Sequence, residues 1–350
     1  MVPSFPAVYV SYFSVSHDFE DDGGRNMKRF IFVVSLVAIA CLLAAGLQSL
    51  QAQPYPNHAI QLVIPGAPGD AADIAARMAA EELAKILKIA IVPVNKPGGG
   101  ASVATDFVAK GKKDGYTLLY ALSSALIYGP AMSPEAFPYD PLRDVEPLAM
   151  HVNFPGVLSV QADSPWKNLA DVVEYSRKNP GKFRCGSLGI GAITHFQLEM
   201  IKSITGADIT YIPFKGASPA VTALLGGHIE STIVAVVLSQ PHFKSGKLRG
   251  ILLDRKVPDL PDIPTLRDLG YQQDLPVSWF GFFAPAGIPE AAKQVLAPAL
   301  EKAINNPEVT AKLQKLSYIT NYKTPVELKQ ILFENHERIR AMAKRMDLTK

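Results

Sequence analysis

Residues 63–77 read VIPGAPGDAADIAAR. The first two close a short apolar run, AIQLVIP (59–65), with the length and content of a buried strand. Gly66, Pro68 and Gly69 then break the pattern, as turn residues do. From Ala72 the apolar positions return at helical spacing through ADIAARMAAEELAKIL (72–87). The reading is strand, glycine loop, helix. Such a loop exposes backbone N–H groups at a helix N-terminus, where the dipole favours an anion. GAPGDA lacks both the Lys-Ser/Thr ending of a P-loop and the spacing of a dinucleotide fingerprint, which argues against nucleotide.

The same unit repeats along the chain. IAIVPVNKPGGG (89–100) reads as a strand, and SVATDFVAKGKKDGYTLLYAL (102–122) as a helix and a strand. A second series runs through GVLSVQADSPW (156–166), NLADVVEYSRKNPGK (168–182), FRCGSLGIGAITHFQLEMIKSITG (183–206), DITYIPFKG (208–216), SPAVTALLGGHIESTIVAVV (218–237) and LRGILLD (248–254). Two βα series predict two α/β lobes. SWFGFFAPAGIP (278–289) reads as a late strand returning to the first lobe. Lobe 1 is therefore expected over 54–155 and 277–350, and lobe 2 over 156–276, with two crossing segments and a cleft between the lobes. The second series has its own glycine turn, GSLGIGAITH (186–195), which also opens a helix that Thr194 could cap. Two such loops facing a cleft can grip one anionic ligand from both sides.

The chain has 350 residues, 48% apolar and 19% charged, enough to bury one or two sizeable cores. MKRFIFVVSLVAIACLLAAGLQSLQAQ (27–53) sets two cations before an apolar stretch of about 19 residues, with a small residue at Ala52. That is the layout of a secretory signal peptide over 27–52, cleaved near Ala52, and it implies a periplasmic protein. The rival readings are an uncleaved anchor and a lipoprotein acylated at Cys41, although the apolar run continues past Cys41. Residues 1–26, with Asp18, Glu20, Asp21 and Asp22, do not suit export; translation is expected to start at Met27, making them an overhang. Removing 1–52 deletes three cations and four acids and takes the formal charge from +3 to +4. So small a surplus, with no basic run, argues against nucleic acid. Only Cys185 would remain, which excludes an internal disulfide and a thiolate metal cluster.

Catalytic signatures are sparse. G-x-S-x-G is absent, His195 and His228 have no H-E-x-x-H pattern, and no paired carboxylates stand out. No cofactor or metal is expected. A hydrolase using Ser123, Thr194 or Cys185 with His195 is the enzyme alternative, and it requires hydrogen-bond reach between them.

The chain from about Tyr55 onward resembles the Bug-type extracytoplasmic solute-binding receptors of tripartite tricarboxylate transporters. The resemblance is carried, in family order, by YPNHAIQLVIPGAPGDAADIAARMAAEEL, IVPVNKPGGGASVATDFVAKGKKDGYTLL, YDPLRDVEPLA, DITYIPFKGASPAVTALLGGHIES, GKLRGILL, LPDIPTLRDLGY and SWFGFFAPAGIP. It implies a two-lobed periplasmic binding protein fold of type II, a Venus flytrap without catalysis. Such a receptor delivers a small carboxylate to membrane permease subunits, and a monomer is expected. The resemblance further implies ligand-binding roles for Gly66, Ala67, Pro68, Gly69, Asp70 and Asp73 in the first loop. In the second loop it implies the same for Ser187, Gly191, Ala192, Thr194 and His195. Phe214, Lys215 and Gly216 would line the cleft, with Ser123, Ser124, Val234 and Ala235 nearby.

Departures from the family pattern bear on the ligand. The usual PPGGxTD loop is APGDAAD here, with Asp70 for Gly and Ala72 for Thr or Ser. An extra carboxylate beside an anion site lowers affinity unless it points away, is protonated or meets a cation. Ala192 and Ile193 replace hydroxyl residues, and Val234 and Ala235 stand where Asp-Asn is common. Three losses of polarity predict an apolar pocket suited to an aromatic or aliphatic acid; Asp70 leaves room for an amino or amide group. A periplasmic sensor that presents the closed state to a signalling partner would show the same features.

Overall fold

The opening stretch forms β1 (Ile60–Ile64), a turn, and α1 (Ala71–Leu87). Ala71, Ala72, Ala75, Ala76, Ala79, Ala80 and Leu83 make one buried stripe at helical spacing. Their short side chains hold the helix close to the sheet. Lys88, in the left-handed conformation with φ 55°, ends it.

The first lobe is built on a mixed six-stranded sheet. β2 (Ile91–Asn95) and β3 (Thr117–Leu122) flank β1 in parallel register, joined by α2 (Ser102–Ala109). A π-helical turn (Ser124–Tyr128) and α3 (Gly129–Met132) follow β3. β4 is Val145–Phe154. The second lobe carries a five-stranded sheet of β5 (Gly156–Gln161), β6 (Phe183–Leu188), β7 (Ile209–Phe214), β8 (Ser231–Ala235) and β9 (Leu248–Leu253), in the order β7-β6-β8-β5-β9. Its helices are α4 (Leu169–Lys178), α5 (Ile193–Thr205), α6 (Ala217–Leu225) and α7 (Val236–Lys244).

β10 (Ser278–Pro285) then pairs antiparallel with both β3 and β4, in the middle of the first sheet. Its side chains alternate: Phe280 and Phe282 join one core layer, Trp279 and Phe283 the other. α8 (Glu290–Ile304), α9 (Pro307–Gln314), β11 (Ile319–Lys323) and α10 (Pro325–Arg345) complete this lobe, with sheet order β11-β4-β10-β3-β1-β2. The chain passes between sheets twice, at Pro155 and over residues 254–277.

One buried cluster joins the two passages. Asp254 Oδ2 accepts from the Gly156 N–H (2.9 Å) and from Gln197 Nε2 (3.1 Å), and Gln197 Nε2 also donates to the Pro276 carbonyl (2.7 Å). Asp254 Oδ1 and Gln197 Oε1 are buried with no hydrogen-bond partner among the described residues. Burial pushes the Asp254 carboxyl up to about 7, against the opposing pull of Gly156, Arg255 and Gln197.

The computed structural model describes residues 27, 30–37, 55–345 and 348. Residues 27 and 30–37 are helical and exposed, and no helix among the described residues is long and apolar enough to cross a membrane. Apart from that short helix, the signal peptide expected over 27–52, cleavage near Ala52, Cys41 and the overhang over 1–26 lie outside the described residues.

Candidate ligand-binding site

A cavity of about 30 Å³ lies between the two lobes. That is room for about two water molecules, far less than a solute of citrate size. The first lobe contributes Leu122, Phe154 and Phe280, with Phe154 stacked on Phe280 at 4.3 Å. The second contributes Leu188, Ile193 and Ala235. Asp70, Thr194 and Ser278 supply the polar side chains of the wall.

Three helix N-termini reach this cavity, through Ala71 and Ala72 of α1, Ile193 and Thr194 of α5, and Ala217 of α6. Their caps differ. Asp70 is the N-cap of α1, a position where a carboxylate normally accepts from its own helix's first turn. Here it makes no such bond. Its Oδ2 accepts from the Ala67 N–H (2.9 Å) and the Ala217 N–H (3.3 Å), and its Oδ1 accepts from the Ser218 N–H (2.7 Å) and the Ser218 hydroxyl. The side chain therefore caps α6, a helix of the other lobe. Gly216 permits the approach, because a Cβ there would stand 2.8 Å from Asp70 Oδ2. The N-cap of α5, Ala192, has no side chain able to cap, and Ser124 Oγ of the first lobe takes only the Ile193 N–H (2.9 Å).

The lobes also touch backbone to backbone. Gly100, with φ +61°, faces the 189–191 loop: a Cβ on it would lie 2.9 Å from the Ile190 carbonyl oxygen, and one on Gly189 would lie 2.9 Å from Gly100 N. Only glycine allows this seam.

Of the residues expected at the site, Gly66, Asp70, Thr194 and Ala235 line the cavity. Several others do different work. The Asp73 carboxylate accepts from Gly69 N–H (3.0 Å), Arg77 Nε (2.8 Å) and Asn95 Nδ2 (2.9 Å), fixing the first loop from behind. The exposed Pro68 and Gly69, and Ala67, lie outside the wall. Thr194 does not cap α5; its hydroxyl sits 2.8 Å from Ser187 Oγ, which donates to the Ile233 carbonyl. His195 stacks on Tyr211 at 4.3 Å and its Nδ1 accepts from the Gly191 N–H (3.3 Å). Buried Ser123 accepts from the Trp279 N–H (3.4 Å). Phe214 and Val234 pack in a core cluster of lobe 2 and Lys215 is exposed. Gly191 and Ala192 form the turn before α5, and Gly216 the turn before α6. Phe154, Leu188, Ser278 and Phe280 were missed, since each reads locally as ordinary strand.

The candidate nucleophiles are engaged structurally. Cys185 is buried and its thiol is pushed up to about 12, chiefly by burial. Among the described residues no group of three His, Cys, Asp or Glu could hold a metal ion.

Residues 75–348 match the model of the tripartite tricarboxylate transporter family receptor. The chain belongs to that family. Protein BugT of Bordetella pertussis is 34% identical over 265 residues, which cover 75% of this chain and 80% of BugT. Among solved structures, the periplasmic binding protein BugD superposes with a TM-score of 0.80 at 27% identity, covering 85% of this receptor and all of BugD. MatC from Rhodopseudomonas palustris with bound malate gives 0.78 at 27% identity, covering 82% of this receptor and 99% of MatC. The family membership and the two-lobed architecture agree with the resemblance in the sequence.

Proposed function

We propose that this receptor works in the periplasm, capturing a small, poorly polar carboxylate between its lobes and delivering it to the permease subunits of a tripartite transporter. The observation that carries the reading is the apolar cavity between the lobes, reached by the N-termini of α1 and α5, neither capped by the side chain of its own N-cap residue. A carboxylate suits those N–H groups, and the phenylalanine and leucine walls suit an aliphatic or aromatic body. MatC, a relative by fold and sequence, holds malate; the apolar wall here favours a less polar acid. Export by a signal peptide over 27–52, hinge segments between 54–155 plus 277–350 and 156–276, action as a monomer, and binding without catalysis belong to the same reading. The engagement of Ser123, Thr194 and Cys185 in the scaffold supports the last point.

Thermal shift and calorimetry across mono-, di- and aromatic carboxylates and the corresponding amides test it. At a hundredfold excess over Kd, a ligand specific to the native state adds roughly 2.7 kcal/mol, a rise on the order of 5 °C in Tm. At least one acid is expected to do so. A flat response to the whole panel sinks the proposal.

A further inference from the structure

Asp70 is 3% exposed, belongs to the cavity wall, and holds both carboxylate oxygens against N–H donors: Ala67 and Ala217 on Oδ2, Ser218 on Oδ1. The group thus accepts on each oxygen, as an ionised carboxylate does. Among the described residues Lys and Arg make no ion pair with it, so its charge is met by backbone dipoles and one hydroxyl. α6 has nine residues and its first turn is thus already supplied with a negative charge from the other lobe. The notch at Gly216 fits the carboxylate too closely for any other residue's Cβ.

We propose that Asp70 is a resident anion of the cleft, occupying the α6 N-terminus that a second negative group of the solute would otherwise use, so that the receptor selects solutes with one carboxylate over their dicarboxylate counterparts. This deepens the receptor reading and rests on it for the identity of the solute. Of three helix N-termini at the cavity, one is filled by the chain itself and two remain for a single ligand carboxylate. A second ligand carboxylate would meet Asp70 at close range in a site without a cationic side chain. The same tie bridges the lobes, so Asp70 joins the loop of one lobe to a helix of the other.

The test compares the wild type with Asp70→Gly and Asp70→Asn, the second keeping the shape and losing the charge. Calorimetry pairs acids of equal length: butanoate with succinate, hexanoate with adipate, benzoate with terephthalate. The wild type is expected to favour the monocarboxylate of the pair it binds by tenfold or more in Kd. Asp70→Gly should shift that ratio at least tenfold towards the dicarboxylate, with Asp70→Asn moving it in the same direction. A wild type that prefers dicarboxylates, or a ratio unmoved in both variants, overturns the proposal. A second arm needs no knowledge of the solute. Asp70→Gly should lose thermal stability, and acetate at tens of millimolar should restore part of it while leaving the wild type unchanged. Acetate acting equally on both overturns the role of Asp70. If the acetate arm succeeds while no acid in the panel binds, the receptor reading fails and the resident anion stands.

Discussion

Two carboxylates are buried between the lobes of this molecule, and they are treated in opposite ways. At the cleft, Asp70 has every oxygen matched by donors from a turn and a helix terminus. Behind it, where the chain crosses, Asp254 has one oxygen bonded and one with no partner among the described residues. The first accepts on both oxygens, from N–H groups and one hydroxyl. The second has a carboxyl that burial pushes up to about 7. Burial is common to both; the number of donors around each is what differs.

The largest effect should come from breaking this contrast where the chain crosses between the sheets. Asp254 is pushed up to about 7 in the fold, against an ordinary value of 3.8. Its favourable contribution is complete below the unfolded pKa and is lost as pH rises through the folded one, because between them the native state holds a proton that the unfolded chain has released. The difference of about three units corresponds to roughly 4 kcal/mol. Urea melts from pH 4.5 to 8 should show the wild type losing stability relative to Asp254→Asn across that window. The variant should be the more stable at pH 8, since an amide carries no charge to bury there. Parallel curves would show that Asp254 does not titrate in this range.

A smaller change sharpens the other half. Ser218→Ala removes the hydroxyl from Asp70 and leaves both backbone N–H donors, so stability should fall by about 1 kcal/mol in the same melts. A loss as large as that of Asp70→Gly would mean that the hydroxyl, not the helix terminus, holds the carboxylate. The smallest effect belongs to a surface control. Glu230 accepts from Arg184 Nε, Nη2 and N–H, all at 2.8 Å, on a partly exposed edge. Glu230→Gln should cost under about 1 kcal/mol, and less again in high salt.

Much of the fold could be read in advance because it is written locally. Gly66, Pro68 and Gly69 punctuate a strand and a helix, and SWFGFFAP is legible as a late buried strand by its aromatic residues. Asp70 was visible as an anomaly, yet its partners lie 147 and 148 residues away, and no spacing in the chain announces them. The cleft wall was harder still. Val234 and Ala235 are neighbours, and only the register of β8 against β5, with Gly156 opposite Ala235, decides that Ala235 meets the cavity while Val234 faces the core. Phe154 and Phe280 look like core residues because they are; the cavity borrows one edge of that core. Asp73 read as a ligand carboxylate because its loop is the right one, but three donors on its protected side turn it into a brace.

The seam of Gly100 against Gly189 lies apart from all of these walls. Its two strips of bare peptide cross from one lobe to the other, so any bulk there forces the lobes apart at that point. Observed affinity equals intrinsic affinity scaled by the fraction of molecules already competent to bind. If solute is held with the lobes joined at this seam, a tenfold loss of that joined fraction weakens capture tenfold, about 1.4 kcal/mol. Bulk at the seam would thus bear on how tightly the lobes meet while leaving the side chains of the cavity wall as they are.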